Sequence, residues 1–251
     1  MNAFLQYLGD IWTLNMTLAA LVALPSGVIQ GYAGFGGALV SVPFFVLLFG
    51  PVPGFAMVLI VMFLIQASLF PKAVGNADWK EISPLAGASA VTMSLGILFL
   101  VSADPAFIKK AMGVFILAIT LFMISGWKYT GTKRMPVGIA TGAVAGGITG
   151  SFGVPAFPLS ALYFHTSQSN TATIRANVLM ALLSNLIVGI VGLTIQGIYG
   201  QTLVVRTLLI APIFIGGAFL GQYLFSVAPV EWFKRVTYGI LIISAITLLV
   251  F

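Results

Sequence analysis

GVIQGYAGFGGALVSVPFF, residues 27–45, is an apolar stretch broken by glycines and closed by a proline. Residues 146–162 read GGITGSFGVPAFPLSAL and echo it. Laid at the offset that carries Gly27 to Gly146, Gly31 meets Gly150 and Gly34 meets Gly153. Gly and Pro interrupt a helix and free backbone groups that then need a partner. Two such breaks at matching places in two halves of a chain point to a membrane transporter's binding site.

The rest of the sequence fits that setting. The chain is 60% hydrophobic and 6% charged, too few charges for a soluble domain of 251 residues. Apolar segments fall at about 14–33, 35–50, 54–71, 84–102, 107–126, 136–151, 153–164, 173–197, 203–225 and 234–251. The expected class is all-α: a polytopic helical membrane protein with no soluble domain. Cysteine is absent, which excludes disulfides, thiolate metal sites and thiol catalysis. The net charge of +6 suits basic loops and an anionic ligand. No basic helix or aromatic-basic face suggests nucleic acid. The opening MNAFLQYLGDIW has neither a positive n-region nor a small-residue cleavage site, so no signal peptide is expected.

FIKKAMGVFILAITL, residues 107–121, resembles WFKRVTYGILIISAITL, residues 232–248. With the paired breaks, this divides the chain into two repeats, 1–126 and 127–251, of about four segments each. Each Gly-rich break is either a bent crossing or a hairpin that returns to its own side. Loop charge separates the two. With hairpins, Lys72, Lys80, Lys128, Lys133, Arg134, Arg175, Lys234 and Arg235 share one face, against Lys109, Lys110 and Arg206. With single crossings the split is six to five. The positive-inside rule favours hairpins, with the 72–80 and 128–134 loops cytoplasmic and both termini outside. Each repeat then crosses an odd number of times, and the two are inverted.

Few polar residues lie within the spans. Gln66 sits inside MVLIVMFLIQASLF, and Asn185, beside Ser184, sits inside NVLMALLSNLIVGIVG. The glycine offset carries Gln66 onto Asn185. A carboxamide in hydrocarbon is costly unless paired, so two at equivalent positions suggest one pocket; tying neighbouring helices together is the plainer role. Helices starting after Gly34–Gly37 and Gly153–Ala156 would point free N–H groups at the breaks, with Pro155 in a first turn. Gly34, Phe35, Gly36, Gly37, Thr149, Ser151, Phe152 and Gly153 are therefore candidate anion-binding residues. Close helix packing through small residues is the competing account. Phe35, Phe44, Phe152 and Phe157 flank the breaks and would pack an organic group. Arg175 is a further candidate substrate-binding residue, drawing an anion in or coordinating it at the pocket; because about ten residues of helix, or about 15 Å, separate it from Asn185, the plainer role is an interfacial side chain snorkelling toward lipid head groups. His165 is expected in a solvated loop. Trp12, Trp79, Trp127 and Trp232 fall near span ends as an aromatic belt.

Asp10, Asp78, Glu81, Asp104 and Glu231 are all terminal or in loops, so no carboxylate serves a coupling cation within a span. There is no phosphate loop, no HExxH and no nucleophile elbow, so no enzyme and no cofactor is expected.

The duplicated GxxGxGG…P break, the loop motif KxxGxxDW (Lys72, Gly75, Asp78, Trp79) and the two four-segment halves resemble the TauE/SafE family, also called TSUP. The resemblance runs from about Asn15 to Phe251. The second break departs from it, because Gly153 is followed by Val154, Pro155 and Ala156. The resemblance implies transport of sulfite, organosulfonates or related sulfur anions in a bacterial inner membrane, with periplasmic termini. The partners expected are a small anion and the lipid bilayer. An anion channel or a non-transport scaffold are the alternatives. A channel needs a continuous polar pore, which this sequence lacks. Gly216, Gly217 and Gly221 form a small-residue stripe that serves either a homodimer or packing within a monomer.

Overall fold

A computed structural model of the chain describes residues 11–33, 36–126, 134–165, 170–225 and 230–250, with the side chains of Ala33, Lys72 and 230–234 left out. The described elements are all helical. They are α1 (Leu14–Ala33), α2 (Gly37–Phe49), α3 (Pro51–Ala67), the short α4 (Phe70–Ala73), α5 (Trp79–Ser102) and α6 (Pro105–Ile124). Then follow α7 (Met135–Phe152), α8 (Phe157–His165), α9 (Thr171–Ile195), α10 (Gln201–Phe225) and α11 (Val230–Val250). Among the described residues, six helices are long and apolar enough to cross a membrane. Exposed Val91, Leu95, Leu98, Val191, Leu208, Phe219 and Ile243 give them an apolar outer surface. The protein is a polytopic helical membrane protein.

Local chemistry sets the helix starts. Asp78 accepts the Lys80 N–H at 3.0 Å, Asp104 the Phe107 N–H at 2.9 Å, and Asn170 the Thr173 N–H at 2.8 Å. The Asp78 cap starts α5 five residues before the apolar run that marks it in the sequence. The KxxGxxDW loop is then tied to α9. Asn177, fully buried, accepts the Asp78 N–H at 2.8 Å and donates to Glu81 Oε2 at 2.8 Å.

Both Gly-rich breaks are hairpins. Asn15 at the start of α1 donates to the Leu48 carbonyl at the end of α2, at 2.8 Å, so the two helices run antiparallel. Gly138 at the start of α7 lies against the Tyr163 hydroxyl near the end of α8. Gly36 leads into α2 with φ +97°, and Gly153 caps α7 with φ +64° and its N–H on the Thr149 carbonyl at 2.9 Å. Both are left-handed conformations that disfavour a Cβ.

The hairpins enter from opposite faces. Gly27 and Gly31 of α1 pack on Phe214 and Ala218 of α10, so the two helices run parallel. Gly146 and Gly150 of α7 pack on Ser89 and Met93 of α5 in the same way. Gly221 of α10 meets the Tyr32 backbone as Gly96 of α5 meets that of Ser151. Each hairpin therefore leans on a long helix from the other half of the sequence. Gly217 also lies against Leu24 and Gly27 of α1. Most of the small-residue stripe on α10 is thus used within the chain.

Chain direction follows. From the terminal face, α3 crosses to the face where the α4–α5 loop meets α9; α5 returns, and α6 crosses again to Ile124. From that second face α9 crosses, α10 returns, and α11 brings Ala245 and Leu249 beside Gly113, near the start of α6. Lys80, Arg134, Arg175 and Arg235 mark the second, basic face. Both ends of the described chain lie on the terminal face.

Candidate functional site

The two hairpin tips meet across a cavity of about 70 Å³ in the middle of the helix bundle. That is room for about five water-sized spheres, hence for a small ion of a few heavy atoms. Its polar groups come in two pairs, each related by the glycine offset. Gln30 on α1 and Thr149 on α7 form the first pair, and Gln66 on α3 and Asn185 on α9 the second.

The first pair holds the tips. Gln30 Oε1 accepts the Gly37 N–H at 3.1 Å, where α2 begins. Thr149 Oγ1 accepts the Ala156 N–H at 3.2 Å, one residue before α8. Donor and acceptor are seven residues apart in both hairpins, and the mirrored bonds satisfy backbone groups that the breaks would otherwise orphan. Both tips thus present a helix start to the cavity. Gly36, Ala38 and Leu39 line it from one side, and Pro155, Ala156 and Phe157 from the other.

The second pair differs in its partners. The Asn185 Oδ1 accepts the Ser89 hydroxyl at 2.7 Å, while its Nδ2 has no partner among the described residues. Gln66 is only 5% exposed, and its carboxamide has no hydrogen bond among the described residues. Apolar walls from Phe55, Val58, Leu59, Met62 and Leu186 complete the site. No Asp, Glu, Lys, Arg or His among the described residues lines it. Its field comes from dipoles alone, positive where α2 and α8 begin.

A wider space of about 580 Å³ adjoins the cavity on the basic face and shares Gln66, Phe157 and Leu182 with it. Arg175, His165, Gln222 and Tyr32 line this vestibule. Toward the terminal face, Phe45, Ile97 and Leu193 are fully buried, and the Tyr199 hydroxyl donates to the Ala56 carbonyl at 3.2 Å. Burial pushes the Tyr199 phenol up, so it remains a donor.

Of the residues singled out in the sequence, Gly36, Gln66, Thr149 and Asn185 line the cavity. Gly37 stands directly behind it, bound to Gln30. Arg175 lines the vestibule rather than the cavity, and His165, exposed as expected but at the end of α8, lines it too. Others serve packing. Ser151 lies against Gly96, and Gly153 against Phe55 and Met112. Phe152 stacks on Phe115 at 4.7 Å, and Ser184 donates to the Ala181 carbonyl at 2.8 Å. Phe157 reaches the cavity, while Phe44 and Phe152 do not. Pro155 precedes α8 instead of sitting in its first turn; Pro158 takes that place. Gly34 and Phe35 lie outside the described residues. Gln30 was missed, although the offset that pairs Gln66 with Asn185 also pairs it with Thr149.

No curated protein and no solved structure matches the chain. The family model described as sulfite exporter TauE/SafE matches residues 19–248, nearly the whole sequence. The chain belongs to the TauE/SafE family of membrane transporters.

Proposed function

We propose that the chain is a secondary carrier that moves a small sulfur oxyanion, sulfite or a short organosulfonate, across a bacterial inner membrane by alternating access. The observation that carries this reading is the cavity between the hairpin tips. It is lined by an unpartnered Gln66 and a half-satisfied Asn185 and faced by two helix starts. A sulfur oxyanion offers acceptor oxygens all round. Amide N–H groups and helix N-termini satisfy such oxygens without a formal ion pair. The volume favours sulfite or a methyl-sized sulfonate over an aryl sulfonate.

In this reading residues 1–126 and 127–251 are inverted repeats, and the basic face is cytoplasmic. The vestibule then opens to the cytoplasm, and Arg175 draws anions toward it. Because each hairpin leans on a long helix of the other repeat, rocking one repeat against the other carries a hairpin with it and exposes the cavity to the opposite face.

The test is thermal unfolding of the purified protein against sulfite, methanesulfonate, an aryl sulfonate, acetate and chloride. A ligand of the native state raises stability by about 2.7 kcal/mol at a hundredfold excess over its dissociation constant. Selective stabilisation by sulfite or methanesulfonate supports the reading. Equal stabilisation by acetate and chloride, or none by any sulfur anion, contradicts it.

A further inference from the structure

We infer that the cavity accepts its oxyanion only as a singly charged species, so that sulfite enters as hydrogen sulfite and brings its own proton. The inference rests on the sulfur-oxyanion reading above and adds which ionic form is carried.

Two independent observations lead to it. The first is charge. Among the described residues no ionised side chain lines the cavity. Its positive field comes from the starts of α2 and α8, each equivalent to roughly half an elementary charge. Together they offset about one negative charge and leave a second uncompensated. The desolvation cost of an ion grows with the square of its charge, so a dianion costs about four times as much to bring in.

The second observation is Gln66. The residue is only 5% exposed, lines the cavity, and its carboxamide has no hydrogen-bond partner among the described residues. A carboxamide both donates and accepts. An acceptor-only dianion would use the Gln66 NH₂ and leave its carbonyl facing like charge. Hydrogen sulfite has oxygens for the NH₂ groups of Gln66 and Asn185 and a proton for the Gln66 Oε1.

The titratable and charged groups nearest this site stand in the vestibule: Tyr32 of α1, His165 at the end of α8 and Arg175 of α9. Among the described residues no ionisable group of α2, α3, α5 or α7 lines the cavity, and α10 adds the uncharged Gln222 and Phe225 to the vestibule. Arg175 attracts mono- and dianions alike, so the choice between them falls to the cavity. Substrate protonation also removes the need for a buried carboxylate: the proton crosses on the substrate. Sulfate, doubly charged at neutral pH, is rejected by the same balance.

The experiment is calorimetric titration of the purified protein with sulfite, methanesulfonate and sulfate, one pH unit below and one above sulfite's second ionisation, which lies near neutrality. The expected result is an affinity for total sulfite about tenfold weaker at the higher pH, following the monoanion fraction. Methanesulfonate, singly charged throughout, keeps its affinity, and sulfate does not bind. His165→Gln retains the sulfite profile, because the titrating proton belongs to the substrate. Sulfite affinity that is flat or rises with pH, sulfate binding comparable to sulfite, or loss of the pH dependence in His165→Gln overturns the inference while the carrier reading stands. Failure of sulfite and methanesulfonate to bind at either pH, with the protein folded, overturns the carrier reading as well.

Discussion

The two hairpins share one backbone plan and differ in the chemistry placed around it. In both, a side chain seven residues upstream caps the returning segment: Gln30 to Gly37, Thr149 to Ala156. In both, glycines seat the first arm on a long helix of the other half. The amides above the tips break the likeness. Asn185 is held by Ser89, whereas Gln66 is held by nothing among the described residues and borders the vestibule. The held amide belongs with the packing of α5 against α9. The unheld one opens onto both the cavity and the vestibule and, in the proposed reading, is free to meet a ligand. Backbone symmetry thus builds the cavity, and asymmetry in side-chain partners distinguishes the side that borders the vestibule.

The largest expected effect attacks the shared plan. A methyl group at Gly31 would overlap the Ala218 carbonyl oxygen, and one at Gly150 the Met93 carbonyl oxygen. Backbone atoms give way poorly, so Gly31→Ala and Gly150→Ala each lose about 3 kcal/mol. Thermal unfolding checks this against Gly216→Ala, where the space is open. Equal stability of all three variants would break the account of the helix seats.

The next prediction sharpens the difference between the amides. Gln66→Leu abolishes sulfite binding while leaving the ligand-free protein as stable as before, because no hydrogen bond within the described residues is lost. Asn185→Leu also weakens binding, but it orphans the Ser89 hydroxyl and costs about 1 kcal/mol in stability. Paired calorimetry and unfolding curves separate the two. Identical stability changes would erase the distinction.

A smaller effect concerns the caps. Thr149→Val removes the acceptor for the Ala156 N–H and loses about 1 kcal/mol. Its effect on affinity is weaker than that of Gln66→Leu, since the tip is displaced and the amide pair remains. The smallest concerns the vestibule. Arg175→Gln lowers the rate of anion capture and flattens its dependence on ionic strength, with little change in affinity at high salt. Stopped-flow binding in low and high salt reads both. The chain contains no cysteine, so Leu179→Cys provides a clean label site on the same wall. It should react with a charged thiol reagent added on the basic face, whereas Ile97→Cys, fully buried, should not.

Much of this was legible in the sequence because hydrocarbon makes polar residues and helix breakers conspicuous. Gln66 and Asn185 stand out within long apolar runs, and the glycine echo aligns them. The loop-charge asymmetry favoured hairpins, and the Asn15–Leu48 and Gly138–Tyr163 contacts show two hairpins. What escaped depends on which helix faces which. Ser151, Phe152 and Gly153 sit in the break like true site residues, yet α5 and α6 lie against them and turn them into packing. Gln30 hid within the first break because a glutamine near a span's end reads as interfacial. Only the returning Gly37 N–H gives it a purpose. The tie from Ser89 to Asn185 spans 96 residues and has no local signature.

Sulfite flux into proteoliposomes carrying wild-type, Gln66→Leu or Asn185→Leu protein tests most directly whether the cavity between the hairpin tips is the transport site. The account predicts saturable flux for the wild type, and flux at the level of empty liposomes for folded Gln66→Leu, with Asn185→Leu strongly reduced. Wild-type rates in both folded variants would contradict it.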